Sequence, residues 1–219
     1  MIQLSNRCSE TVYELAFGNV KGESMCARPR SVSDEEIFAA TASLVARHGP
    51  GQLTVAAVAE EAGMAASSLM QRFGSKRDLL LAFASKAADA VTALFDRERA
   101  RHPRPLDALQ AALLAMAAHS RTRKEMANNL AFLQMDLSDP EFGKHAAAHG
   151  RAVRAEIERL LRDAGMTRDA AARARDVQVV FNGALITWAI HGEGTLAEAV
   201  KGALRIALRR ERRPERRSA

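Results

Sequence analysis

The sequence predicts an all-α chain of about nine helices, three short ones followed by six longer ones. Three observations point there. Alanine and leucine dominate, while aromatic residues make up only 5% of the 219 positions, so helix formers outnumber sheet formers. Val, Ile and Thr never settle into an alternating run; apolar residues recur three and four apart instead. Serine, threonine, glycine and proline fall between these periodic stretches, where caps and breaks belong.

Residues 1–30 show no sustained period and read as a poorly ordered leader, within which Met25 is a second candidate start. Helical patterning begins at SVSDEEIFAATASLVARHG. Ser33 with Glu36 three residues on forms a capping box, and acids fill the first turn. Ile37, Phe38, Thr41, Leu44 and Val45 make one apolar stripe, which Gly49-Pro50-Gly51 ends. A short helix follows in LTVAAVAEEAG, capped by Thr54 and closed by Gly63, and then another in AASSLMQRF. After Gly74, Ser75 caps one long helix expected from Lys76 to about Arg101, with Pro103 and Pro105 marking its end. Five more helices are expected at about 105–121, 124–137, 140–164, 168–191 and 195–211, before a basic tail, RRERRPERRSA.

Composition narrows the function. No apolar run reaches the ~20 residues of a membrane span, and residues 1–30 lack the pattern of a secretory signal. Cys8 and Cys26 both lie in the leader, so neither a disulfide framework nor a cysteine metal knuckle is suggested, and a cytoplasmic protein is expected. The net charge of +6 does not by itself locate a nucleic-acid site. Seven arginines against two glutamates from Arg205 onward account for most of it, whereas residues 31–82 hold four cations against six acids. No nucleophile elbow, phosphate loop, HExxH or dinucleotide glycine turn occurs, so neither an enzyme nor a cofactor is expected. Glu141, His145 and His149 stand at a zinc-chelating spacing, but with no fourth ligand they read as a solvated face, and no metal is expected.

Residues 54–76 carry the functional signal. Two short helices joined at a glycine turn, with apolar anchors on facing sides, describe a helix-turn-helix. Val55, Val58, Ala59 and Ala62 form the buried face of the first helix; Leu69 and Phe73 anchor the second. At 100° per residue, Ser67 and Gln71 point away from those anchors, with Ser68, Met70 and Arg72 on the flanks. A helical hairpin inside an ordinary bundle would not require such a thin polar face. Thr54, Ser67, Ser68, Met70, Gln71, Arg72 and Lys76 are therefore the expected DNA-binding residues, reaching phosphates or base edges in a major groove. Arg28 and Arg30, ahead of the first helix, are further candidates for phosphate or minor-groove contact.

LTVAAVAEEAGMAASSLMQRFGSKRDLLLAF resembles the DNA-binding domain of the TetR (tetracycline-repressor-like) family of bacterial regulators, through Thr54, Val58-Ala59, Ala62-Gly63, Leu69, Phe73, Ser75-Lys76 and Leu79-Leu80. The resemblance covers about 50 residues. It departs at Ala65, where the family usually has a polar cap, at Ala66, and at Met70, where tyrosine is common. It implies a DNA-binding domain over 31–78, a helical effector-binding and dimerisation domain over 79–211 and a basic tail over 212–219. It also implies a ligand-responsive repressor that binds a near-palindromic operator as a homodimer. The expected dimer interface is Val177, Phe181, Leu185, Leu196, Val200, Leu204 and Leu208, in two stripes at helical spacing. Met116, His119, Phe132, Met135, Asn182 and Trp188 are the expected effector pocket, mostly apolar with few polar groups. Two other readings stand beside it: a helical interaction protein with weakened DNA affinity, and a small helical enzyme built around the pocket.

Overall fold

The computed structural model describes residues 32–118, 120 and 122–209. The expected leader with Cys8, Met25, Cys26, Arg28 and Arg30, the pocket candidate His119 and the basic tail lie outside the described residues.

Among the described residues there are ten helices and no strand: α1 (Asp34–Gln52), α2 (Val55–Glu61), α3 (Ala66–Phe73), α4 (Lys76–Ser85), α5 (Ala87–Arg101), α6 (Pro105–Ala117), α7 (Arg123–Ser138), α8 (Pro140–Asp163), α9 (Ala170–His191) and α10 (Leu196–Arg209). The caps follow local chemistry. Ser33 Oγ accepts from the Glu36 amide at 3.2 Å, and the Glu36 carboxylate accepts from the Ser33 amide at 2.8 Å. Thr54 and Ser75 cap α2 and α4 by accepting from the amides of Ala57 and Asp78. The α1 backbone leaves helical geometry at Gly49, φ +78°, and one more turn carries it to Gln52.

The single helix expected from Lys76 to Arg101 is two. At Lys86 the backbone tightens: its amide donates to the Phe83 carbonyl at 3.2 Å, three residues back, while Ser85 Oγ donates to the Ala82 carbonyl at 2.7 Å. The break sits where burial changes target. Leu79, Leu80 and Ala84 of α4 pack among α1–α3, whereas Val91 and Phe95 of α5 pack among α6, α8 and α9.

Two apolar clusters result. One gathers Ile37, Phe38, Leu44, Val58, Leu69 and Leu80, joined by Phe142 of α8. The other gathers Phe95, Leu109, Leu113, Ile157, Leu160 and Leu161 with residues of α9 and α10. The boundary expected after residue 78 falls inside α4, whose core residues belong to the first cluster.

The stripes expected to face a second copy face inward instead. Val177, Phe181, Leu196, Val200 and Leu204 are buried within the single chain, and Leu185 and Leu208 are partly buried against the same cluster. They pack α9 and α10 onto each other, α9 onto α8 and α10 onto α6. The exposed apolar residues of these helices lie elsewhere: Val179, Ile186 and Ile190 on α9 and Ile206 on α10.

Phe142 is 1% exposed and joins the first cluster from α8, whose other core residues belong to the second. Phe142→Ala should lower the unfolding free energy by roughly 3–5 kcal/mol in urea titration. The control Leu137→Ala, at a side chain 81% exposed, should stay within about 0.5 kcal/mol of the parent.

Candidate nucleic-acid interface and inner cavity

The α2–α3 connection is set by one residue that only glycine suits. Gly63 stands at φ +70°; its amide donates to the Glu60 carbonyl at 3.1 Å, and the Met64 amide donates to the Ala59 carbonyl at 2.9 Å. This pair of bonds closes α2 as a Schellman motif and turns the chain into α3. Arg47 of α1 braces the corner by an ion pair to Glu61 at 2.6 Å.

α3 is anchored from behind. Leu69 is fully buried, and the half-buried Phe73 ring meets that of Phe38 at 6.0 Å between centroids. Ser67, Ser68, Met70, Gln71 and Arg72 are exposed. Ala65 at the N-cap offers no side-chain bond to the first amides of the helix, leaving them for water or an anion. Thr54 is exposed while capping α2. Lys76 Nζ donates to the Gly51 carbonyl at 2.9 Å and, with three protons, retains donors for a second acceptor.

Arg72 departs from its expected role as a free groove contact. Its Nη1 donates to the Val32 carbonyl at 2.6 Å and its Nη2 pairs with Asp34 at 2.7 Å, so the guanidinium is turned to the start of α1. The capping acids that launch α1 also claim this cation.

Behind α1 lies a cavity of about 530 Å³. Ala42, Val45 and Ala46 of α1 and Phe83 of α4 wall it on the side of the first cluster, and residues of α5, α6, α7, α8 and α9 line the rest. Of the expected pocket residues, Met116, Phe132 and Asn182 line it. Met135 packs against the first cluster instead, and Trp188 is buried in the second, its Nε1 donating to the Gly194 carbonyl at 3.2 Å. Both rings and thioethers suit plain core as well as a pocket wall, which spacing alone does not separate.

Sequence reasoning missed Asp136, Asn129, His145 and His149 in the same wall. Burial pushes the Asp136 carboxyl up to about 6. Because its folded value lies above the unfolded one, any stability it contributes is complete below about 4 and is lost as pH rises through about 6. His149 is pushed below the usual histidine range by burial, against a smaller opposing effect of its Nδ1 contact with the Ala87 carbonyl at 3.3 Å. The spacing of Glu141, His145 and His149 was visible in the sequence, but Glu141 is engaged elsewhere. Arg77 Nη2 donates to Glu141 at 2.6 Å and to Asp139 at 2.7 Å, and its guanidinium sits 5.8 Å from the Phe142 ring centre. The bond from Arg77, helped by the Glu141 amide, holds the Asp139 carboxyl below the usual range. Among the described residues no group of three His, Cys, Asp or Glu is placed to hold a metal ion.

Residues 37–83, which span α1 to α4, match the family model for bacterial regulatory proteins of the tetR family. The chain carries a TetR-family helix-turn-helix domain. No curated protein matches the chain. Among solved structures, a TetR transcriptional regulator from Legionella pneumophila is 17% identical, with a TM-score of 0.65 over 82% of this chain and 97% of that one. A TetR regulator from Haloarcula marismortui is 20% identical, with a TM-score of 0.63 over 80% and 94%. Thermus thermophilus FadR, a TetR-family repressor in complex with lauroyl-CoA, is 21% identical, with a TM-score of 0.55 over 85% and 99%. At these identities the likeness shows the TetR-type fold, reaching well beyond the matched domain.

The two cations of this TetR-type interface should behave differently in DNA titrations between 50 and 200 mM salt. Lys76→Ala should weaken binding to every sequence and make the logarithmic salt slope shallower by about one per protomer contact. Arg72→Ala, removing a guanidinium already paired with Asp34, should change the slope by less than half as much. Equal losses would show that Arg72 leaves Asp34 for phosphate.

Proposed function

We propose that this protein is a cytoplasmic, ligand-responsive transcriptional repressor that binds a near-palindromic operator as a homodimer. A small molecule bound in the inner cavity releases it. The exposure of Ser67 and Gln71 opposite a fully buried Leu69 is the observation that carries the DNA-binding reading. Small residues at 65–68 let the start of α3 approach a groove floor, and Gln71 is long enough to reach base edges. One helix reads too few bases for a genomic address, so a second copy is required. The exposed stripe of Val179, Gly183, Ile186 and Ile190, with Ile206 nearby in the α9–α10 pair, is the surface best suited to receive it. No helix among the described residues is long and apolar enough to cross a membrane, in keeping with cytoplasmic action.

The coupling follows from a shared wall. Phe83 and Phe132 line the cavity, and a series of ring contacts continues from them to α3: Phe132 to Phe83 at 6.0 Å, Phe83 to Phe38 at 6.3 Å, and Phe38 to Phe73 at 6.0 Å. A ligand that wedges α7 from α4 moves rings that fix α3, favouring the dimer geometry that fails to span both half-sites. The complex of Thermus FadR with lauroyl-CoA supports small-molecule control on this fold. The unit that moves is α1 to α4; α5 to α10 hold effector and partner.

Uncapped Ala65 and sequestered Arg72 favour one rival, an interaction protein with weakened DNA affinity. A gel-shift with the DNA flanking its own gene separates the two. The repressor gives a sequence-selective shift at moderate salt, and Gln71→Ala relaxes discrimination at particular base pairs by roughly 1–3 kcal/mol. Absence of any selective shift supports the rival.

A further inference from the structure

The cavity wall has an unbalanced charge. Among the described residues its lining contains no lysine and no arginine, and its titratable groups are Asp136 from α7 and His145 and His149 from α8. α1, α4, α5, α6 and α9 contribute only uncharged side chains to it. Asp136 is half-buried and, among the described residues, has neither a hydrogen bond to its carboxylate nor an ion pair. Desolvation is the sole cause of its raised pKa, so no neighbour supplies compensation. An incompletely solvated carboxylate without a partner is unfavourable. It is retained here in the wall of a space built mainly from Ala, Val, Leu, Met and Phe, with Asn129, Gln178, Asn182 and the two histidines as its other polar side chains.

His149, in the same wall, has the same polarity when neutral. With Nδ1–H donated to the Ala87 carbonyl, the His149 ring carries its remaining lone pair on Nε2. Gln178, another polar group of the wall, is spent: its Nε2 donates to the Gly150 carbonyl at 3.0 Å and its Oε1 accepts from Arg154 at 3.0 Å. Asn129 donates its amide to Ser120 Oγ. Asn182, the remaining amide of the wall, can donate as well as accept; among the described residues the wall offers one carboxylate and no lysine or arginine to meet an acid.

Building on the repressor reading, we propose that the effector is a cationic amphiphile: an apolar or aromatic body carrying one protonated amine, with the ammonium paired to Asp136. Stacking against Phe83 and Phe132 receives the body, and the ammonium gives Asp136 the partner it lacks among the described residues. A ligand ending in a carboxylate would set a like charge beside Asp136 and find no guanidinium or ammonium in the lining.

Three probes of similar size test this in the full-length dimer at pH 8, where alkyl ammonium ions remain charged: 4-phenylbutylamine, 4-phenylbutanol and 4-phenylbutyrate, measured by calorimetry. The amine should bind roughly tenfold or more tighter than the alcohol, and the butyrate weakest. Asp136→Asn should erase the amine's advantage and leave alcohol binding unchanged, while Asp136→Glu should keep it; thermal melts of both variants confirm folding. Butyrate binding best, an advantage that survives in Asp136→Asn, or binding of none of the three would each overturn the proposal. Those outcomes leave selective operator binding untouched, whereas loss of the operator shift with the amine preference intact would overturn the repressor reading alone.

Discussion

The packing of five phenylalanine rings into one continuous series holds this molecule together functionally. Phe73, Phe38, Phe83, Phe132 and Phe142 come from α3, α1, α4, α7 and α8 in turn, each ring within 6.3 Å of the next. Of the eight phenylalanines in the chain, five are spent on this one seam. Rings at such separations gain from edge and tilted contacts beyond their buried area. The seam lets Phe142, from the C-terminal part of the chain, complete the core under the helix-turn-helix.

Polar contacts fix the same seam in register. Asn128 of α7 donates to the Ala46 carbonyl of α1 at 2.8 Å, and its side-chain oxygen would stand 3.0 Å from a Cβ added at Gly49. A side chain at residue 49 would therefore crowd the Asn128 carboxamide that bonds α7 to α1, besides straining the backbone at φ +78°. On the other side, Arg77 bridges α4 to the start of α8 through Asp139 and Glu141. That pair is exposed and contributes little to stability. Its value is positional, because it ties the first turn of α4 to the cap of α8. Interlocked packing of this kind has discrete arrangements rather than a continuum, which suits it to switching.

Much of this was legible in advance, and the failures have causes. Caps, glycine stops and the α3 anchors rest on local chemistry, so Ser33, Thr54, Gly63, Ser75, Leu69 and Phe73 could be read from spacing. The break at Lys86 could not, since neither glycine nor proline marks it and only the change of packing partner explains it. The inward turn of Val177, Phe181, Val200 and Leu204 was hidden because an apolar stripe does not say which neighbour it meets. Arg72 was misplaced for a related reason: Asp34 lies 38 positions away, and no local rule pairs them. Asp136 and the two histidines entered the cavity wall through the crossing of α7 and α8, which sequence periodicity does not give.

In the proposed repressor, α3 and the cavity are coupled through the ring series. Hydrogen exchange of the full-length protein, with and without operator-bearing DNA, tests this most directly. The coupling predicts slowed exchange across residues 66–73, with a concurrent change across residues 125–136 of α7, which touches no DNA in the proposed complex. Protection confined to α2 and α3, with α7 exchanging as in the free protein, would contradict it.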